Sequence, residues 1–160
     1  AGVARSSYAG CHNDVEAPID ENNTGLLFLN SKVRYAEILD GSSKTILLSE
    51  LQIRDFGSED RPAQESLTMG WISGTRATLR NTGTTKWDFR YPGHSGSTPP
   101  PVPESNLYVG GFGSYHAGGI INVAFADGSA KAVTSDIDPG LFKLLGNRAD
   151  GEITKDYDSW

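Results

Sequence analysis

The fold of this chain is decided by residues 120–134, which read IINVAFADGSAKAVT. Two runs of alternating residues meet at Asp127 and Gly128, a dipeptide favoured in two-residue type I′ hairpin turns. With such a turn Phe125 lies opposite Ala130, and the inward residues of both runs form one apolar face. The pattern therefore predicts an antiparallel hairpin over residues 120–134.

A short helix is predicted directly after this hairpin. Asp138 and Pro139 are typical of an N-cap and a first helical residue. Apolar residues then recur at helical spacing until Gly151 ends the pattern. We expect a helix over residues 139–149 that packs on the sheet through Phe142 and the leucines Leu141, Leu144 and Leu145.

Further strands are predicted upstream of the hairpin. Residues 25–29 form a short apolar run that indicates a strand entered from a loop. Residues 32–41 indicate a short strand that runs into one helical turn capped by Gly41. Residues 44–53 predict a central strand, with a helix as the alternative because Leu, Glu and Gln also favour helices. Residues 67–79 suggest a broken strand, and the aromatic residues of 87–91 either an edge strand or a lid over the core.

The chain as a whole is expected to form one domain over residues 1–160. The 19 glycines and 8 prolines indicate many turns, and the proline-rich residues 92–106 predict a surface loop inside the domain. The resulting fold class is α+β and β-rich.

Composition argues against binding to nucleic acid. The chain has 14 basic and 20 acidic residues, which gives a net charge of -6, whereas nucleic-acid affinity depends on clustered Lys and Arg. Cys11 is the single cysteine, so no intramolecular disulfide can form. We expect an ordinary buried or half-buried thiol at that position.

Motifs of catalysis are incomplete in this sequence. Residues 93–97 approach a serine-hydrolase elbow but lack its final glycine. Residues 110–116 fail the dinucleotide fingerprint, because His116 stands where the third glycine belongs. The other histidines, His12 and His94, are too distant in sequence to form a local metal pair. We expect no enzymatic activity.

Carboxylates offer the remaining candidates for chemistry. Glu50 lies among aliphatic residues, where a buried carboxylate needs a partner such as Arg34 or His116, unless it faces solvent. No cofactor is expected, although calcium has weak candidate ligands in the turn residues Asp20, Asp136 and Asp138. Capping and solvated loop roles are the alternative for these three aspartates.

Aromatic residues suggest a second kind of site. Trp71, Trp87, Tyr91 and Tyr108 are candidate stacking platforms for a glycan or another extracellular solute. Packing in the core or in loops is the alternative for all four.

Two stretches resemble a known family. Residues 114–129 resemble the signature of the prepilin-type, processing-associated H-X9-DG proteins, the DUF1559 family, which is abundant in planctomycetes. Residues 30–50 are similar to its other block, a turn followed by a strand that ends in Glu50. The matching motif residues are Glu50, His116, Asp127 and Gly128. Ten residues rather than nine separate His116 from Asp127, which we interpret as a β-bulge near residues 120–121.

The resemblance implies a pilin-like antiparallel sheet that forms the head of a pseudopilin. A hydrophobic N-terminal helix, processed by a prepilin peptidase, would lie upstream of this chain and provide its membrane anchor. The expected function is non-catalytic, in a type IV pilus-like or type II secretion-related assembly at the cell envelope, periplasmic or on the extracellular surface. The expected partners are other pilin-like subunits or envelope proteins. The alternative is an extracellular solute- or carbohydrate-binding module.

Overall fold

The computed structural model describes residues 6–51, 78–84 and 107–152. In chain order these contain a first strand, a single 3-10 turn, four more strands and a short helix. Their bounds are β1 (Tyr8–Asn13), the 3-10 helix (Tyr35–Glu37), β2 (Ile46–Glu50), β3 (Leu79–Asn81), β4 (Ile120–Phe125), β5 (Ala130–Thr134) and α1 (Pro139–Leu144).

The strands form one sheet in the order β3-β1-β2-β4-β5. The predicted α+β, β-rich class is confirmed, and β2 is the central strand, as residues 44–53 predicted. The expected antiparallel sheet is mixed, because β1 and β3 run parallel while the other pairs are antiparallel. A parallel pair needs a long crossover, and many residues separate β1 from β3 along the chain.

The hairpin over residues 120–134 is confirmed, but its turn differs from the predicted two-residue type. Gly128 N–H donates to Phe125 O (3.0 Å), and Phe125 N–H donates to Ser129 O (2.9 Å). Three residues therefore form the loop, and Gly128 takes a φ of +86°. This is the geometry of a type I turn followed by a glycine bulge.

The longer loop shifts the register of the hairpin by one residue. Ala130 lies opposite Ala124 instead of Phe125. Because side chains alternate along a strand, this shift changes which residues of β5 reach the core. Val133, opposite Ile121, is 3% exposed. Within β5, Val133 is thus the residue that completes the apolar face.

The core lies between one face of the sheet and α1. Phe112 and Phe142 meet edge to face, with ring centroids 6.5 Å apart, across the gap between a loop and the helix. The other members of this cluster are apolar side chains of the strands and of the helix: Ala9, Cys11, Ile46, Leu51, Ile121, Val123, Phe125, Val133, Leu141 and Leu145.

Helix α1 begins as predicted and ends earlier than the predicted residue 149. The Asp138 carboxylate caps it by accepting Leu141 N–H (2.8 Å). After Leu144 the chain turns, and the Leu145 carbonyl accepts the N–H of Ile46 on β2 (2.8 Å). A Cβ on Gly146 would collide with the Thr82 side chain. Close contact with neighbouring segments therefore ends the helix, which the leucine spacing could not reveal.

The first strand was missed by the sequence pattern. Residues 25–27 form bends and residue 29 lies in a turn, so the predicted strand is absent. The amides of Gly25, Leu26 and Leu27 donate to the β1 carbonyls of Cys11 and His12 (3.0–3.1 Å). All but one residue of β1 are buried, with no polar alternation. A strand covered on both faces lacks the period-two signal on which the prediction relied.

Two further local predictions, at residues 32–41 and 120–121, are also revised. Residues 32–41 contain the predicted helical turn, but no strand precedes it. The turn ends at Glu37 with Ile38 as its C-cap, so Gly41, at a φ of +99°, does not cap it. The β4–β5 ladder is regular from Ile120 to Ala124, so the predicted bulge near residues 120–121 is wrong. Irregular pairing occurs instead in β2, between Ile46 and Leu48, and in β1, between Cys11 and Asn13.

Several predictions concern residues outside the described ranges. These are the broken strand over residues 67–79, except for its end at β3, the aromatic stretch 87–91 and the proline-rich loop 92–106. Among the described residues, none of the helices combines the length and apolarity needed to cross a membrane.

Candidate functional site

Glu50 and His116, two of the motif residues, meet at the end of the central strand. His116 Nε2 lies 2.8 Å from Glu50 Oε1. Glu50 also accepts Asn122 N–H at Oε2 (2.8 Å) and the Asn122 side-chain amide at Oε1 (3.2 Å). The residue is only 9% exposed. Of the two partners proposed for Glu50, the structure shows His116.

Side-chain hydrogen bonds link β2 to β4 where their main-chain pairing ends. Ser49 Oγ donates to the Asn122 carbonyl (2.9 Å), while Glu50 accepts the Asn122 amide. Both peptide groups of Asn122 are therefore bonded by side chains of β2. Leaving either group unpaired in a half-buried place would cost about 1–3 kcal/mol.

The position of His116 is set by the turn that leads into β4. Its main-chain N–H donates to Ser114 Oγ (3.1 Å), and Ser114 in turn donates to the Ile120 carbonyl. Gly118 and Gly119 between them take φ values of +81° and +66°. Consecutive left-handed residues are costly for any residue with a Cβ, so this pair of glycines permits the turn.

The bond to Glu50 makes His116 Nε2 a hydrogen-bond donor. An ionised carboxylate only accepts hydrogen bonds, so Nε2 carries the proton in this bond. The His116 side chain is 55% exposed, against 11% for that of Glu50. The imidazole is therefore partly exposed to solvent and covers the Glu50 carboxylate, which also accepts hydrogen bonds from Asn122.

A second carboxylate holds the other end of the same segment, which we call the glycine-rich loop (residues 107–119). Glu16 Oε1 accepts Val109 N–H (2.8 Å), and its Oε2 accepts Gly110 N–H (2.9 Å) and the Asn81 amide (2.7 Å). Glu50 adds a main-chain bond, because its carbonyl accepts Gly113 N–H (3.0 Å). Two carboxylates thus clamp the loop onto the sheet.

Sequence reasoning missed Glu16 and Asn81. Glu16 is more than 90 residues away from its partners in the loop, and no local motif surrounds it. Asn81 is fully buried and also accepts Thr84 N–H (2.8 Å). The one signal in the sequence was an acidic residue close to polar residues that the structure shows to be buried.

Asp127 does not join Glu50 and His116. It lies exposed at the tip of the hairpin, where its Oδ1 accepts the hydroxyl (2.6 Å) and the amide (2.8 Å) of Ser129. The Ser129 hydrogen bonds lower the pKa of Asp127. Its role in turn geometry, which the sequence indicated, is what the structure shows.

The three weak calcium candidates have ordinary turn and cap roles. Asp138 caps α1, Asp136 accepts the hydroxyl of Thr134, and Asp20 accepts the amide of Asn22 (3.0 Å). In the described ranges, His, Cys, Asp and Glu form no group of three or more that could hold a metal ion.

Of the four aromatic residues proposed to stack against a solute, only Tyr108 lies within the described residues. Trp71, Trp87 and Tyr91 lie outside the described residues. Tyr108 is half-buried, and its ring lies beside Gly110, where a Cβ would approach Cε1 to 3.3 Å. Solute binding by these aromatic residues stays a prediction.

The remaining candidates for reactivity are buried. Burial raises the pKa of Cys11 to about 12, so its thiol stays protonated, as expected of an ordinary buried cysteine. His12 is fully buried, and its Nδ1 lies 3.2 Å from Asn23 Oδ1. Burial lowers the pKa of His12. His94 lies outside the described residues.

One apolar surface stands out on the described part of the molecule. We call it the 28–39 groove, a shallow depression of about 1100 Å³. Its apolar lining comes from the loop before the 3-10 helix, from that helix, from the turn after it and from the segment after α1: Phe28, Leu29, Val33, Ala36, Leu39 and Ala149. Leu39 is 73% exposed and Leu29 is 49% exposed.

Comparison with known proteins gives one match. A family model described as "Protein of unknown function (DUF1559)" matches residues 2–140. This range includes both stretches on which the resemblance rested, and it covers most of the chain. Neither the curated proteins nor the solved structures contain a significant match.

Proposed function

This chain belongs to the DUF1559 family, and we propose that it is a non-catalytic structural and interaction domain of a pseudopilin-like assembly at the cell envelope. Its partners would be other pilin-like subunits or envelope proteins. Two kinds of observation support the proposal. The first is the set of hydrogen bonds that the motif residues make, and the second is the group of apolar residues exposed on the surface.

The observation that carries the proposal is that both carboxylate oxygens of Glu50 already accept hydrogen bonds within the protein. Its carboxylate accepts bonds from His116 Nε2 and from two groups of Asn122, and it is 9% exposed. A general base must instead present a free lone pair to a substrate within hydrogen-bond reach. The Glu50 bonds hold strands and a loop together, which favours a structural role for the motif.

The exposed surface supports a role in interaction. Tyr35, Leu39 and Leu29 are 67%, 73% and 49% exposed and lie close together in sequence. Clustered apolar residues on a surface are typical of protein contacts. The net charge of -6 argues against nucleic acid as the partner.

The proposal is tested on the full-length product in its native cell. Fractionation with an antibody against the head should recover the protein in the envelope or outside the cell, and cross-linking of intact cells should give multimers. A cytosolic enzyme serves as the fractionation control. Recovery as a free monomer in the cytosol would contradict the proposal.

A His116→Gln variant tests the non-catalytic part. The glutamine amide can donate to Glu50 in place of Nε2, but it cannot act as a proton acceptor like an imidazole. We expect unchanged multimer formation, within about twofold, in the same cross-linking assay. A folded variant that no longer assembles would show that the imidazole itself is needed.

A further inference from the structure

The 28–39 groove has a rim of both charge signs. Lys32 and Arg148 contribute two cations, and Glu21 and Glu37 contribute two carboxylates. The chain as a whole carries six more acidic than basic residues, so the net charges of two copies repel each other. The groove is locally balanced, and a balanced patch can face a copy of itself with opposite charges paired.

The apolar residues have a similarly self-complementary arrangement. Leu39 protrudes at 73% exposure, while Phe28 and Val33 line the depression beside it. A two-fold contact uses the same patch on both subunits, so that a protruding residue of each copy enters the depression of the other. One patch with a projection and a hollow meets this requirement.

The groove is also preformed. Arg148 donates to the carbonyls of Asn23 (2.7 Å) and Gly25 (2.8 Å), and its guanidinium lies 5.2 Å from the centre of the Phe28 ring. The Arg148 carbonyl accepts Leu39 N–H (2.7 Å). Both walls are thus tied to one residue, and a preorganised surface loses less conformational entropy on binding.

We propose that the 28–39 groove binds a second copy of this chain through a two-fold contact, with Leu39 of each copy seated against Phe28 and Val33 of the other. Lys32 and Arg148 of one copy face Glu21 and Glu37 of the other. This inference rests on the proposed function, since it names the partner that an assembly domain would bind.

The contact is expected to be weak on its own. The groove is lined by 12 residues, whereas a standard interface uses about 20–30 residues on each side. Isolated heads should therefore dimerise with a Kd of roughly 10–500 μM. In an assembly that holds many copies close together, such weak contacts are reinforced by a high effective concentration.

Sedimentation equilibrium of the isolated chain over a concentration series, up to about 1 mM, tests the contact. We expect a monomer–dimer equilibrium that Leu39→Glu weakens about tenfold or more, because the variant places carboxylates in the apolar contact. Leu107→Glu is the matched control: Leu107 is 62% exposed and lies outside the groove, so the variant should dimerise like the parent chain.

Charge reversal gives a second, independent readout. Lys32→Glu should weaken the self-association of that variant about three- to tenfold, because it leaves the rim acidic. Circular dichroism of each variant checks folding. A chain that stays monomeric throughout, or a dimer that neither Leu39→Glu nor Lys32→Glu weakens, would overturn the proposal.

The outcomes separate this inference from the proposed function. Monomeric heads together with multimers of the full-length protein in the envelope would refute the two-fold groove contact and leave the function standing. Dimers that depend on the groove, combined with a cytosolic full-length protein, would refute the envelope function and leave the contact standing.

Discussion

The glycine-rich loop and the 28–39 groove are built in opposite ways. The loop has little regular structure, yet Glu16 binds the amides of Val109 and Gly110 near its start, and the Glu50 carboxylate binds the His116 imidazole near its end. The groove is held by one arginine but leaves Leu29 and Leu39 exposed to water. Polar groups whose bonds are complete stabilise the fold, whereas apolar groups left exposed gain free energy only when a partner covers them. The loop therefore serves stability, and the groove is free to serve association.

The largest expected effect is the loss of the Glu50 clamp. Glu50→Ala should lower the free energy of unfolding by about 2–4 kcal/mol, because it leaves the Asn122 amide and His116 without their acceptor. Urea denaturation measures this change. Glu50→Gln keeps one acceptor oxygen and should cost about half as much. If Glu50→Ala lowered the free energy of unfolding by less than about 0.5 kcal/mol, the glycine-rich loop would not differ from the groove in its contribution to stability.

The glycines before β4 provide a graded test of the loop. Gly118→Ala should cost about 1 kcal/mol, since its φ of +81° is unfavourable for alanine while the surrounding space is open. Gly119→Ala should cost more, because a Cβ there would also press against the Ser135 side chain. Thermal or urea unfolding of both variants checks the order. Equal losses would mean that the Ser135 contact relaxes easily.

The buried histidine predicts a pH dependence of the sheet. Burial lowers the folded-state pKa of His12 below 6.5, so the unfolded state binds more protons as the pH falls below 6.5. Stability is therefore complete above that pH and should fall by about 1 kcal/mol between pH 7 and pH 5.5.

Urea denaturation at the two pH values measures this loss. The pKa of Asp150 is raised, chiefly by partial burial, which acts in the opposite direction. His12→Gln removes only the histidine part, so the difference between the parent chain and this variant isolates it. If the parent chain and His12→Gln lost the same free energy of unfolding between pH 7 and pH 5.5, the prediction would be contradicted.

The smallest expected effect concerns the groove. Leu39→Glu should change the free energy of unfolding of the monomer by less than about 0.5 kcal/mol, because Leu39 is 73% exposed. Dilute protein, where the monomer dominates, is the proper sample for urea denaturation. A large loss would show that Leu39 contributes to the fold, which would weaken the contrast with the clamped loop.

Local patterns predicted the elements that carry their own signals. The hairpin over residues 120–134 combines alternating runs with a turn dipeptide, and α1 begins at an Asp-Pro pair. Segments without such signals were mispredicted: the apolar residues 25–29 form no strand, while β1, which is buried almost throughout and shows no polar alternation, was missed. The pairing of Glu50 with His116 was one of the alternatives for Glu50. Glu16 could not be found, because its bonds join residues far apart in the chain.

The sequence by itself determined the α+β class, the hairpin, the start of the helix and the family blocks around Glu50 and His116, because each depends on residues that are neighbours along the chain. The tertiary structure decided the hairpin register, the end of α1, the clamping of the glycine-rich loop and the exposure of the 28–39 groove. These depend on which distant groups complete a hydrogen bond or cover an apolar side chain, and a residue's own neighbours in sequence do not specify either.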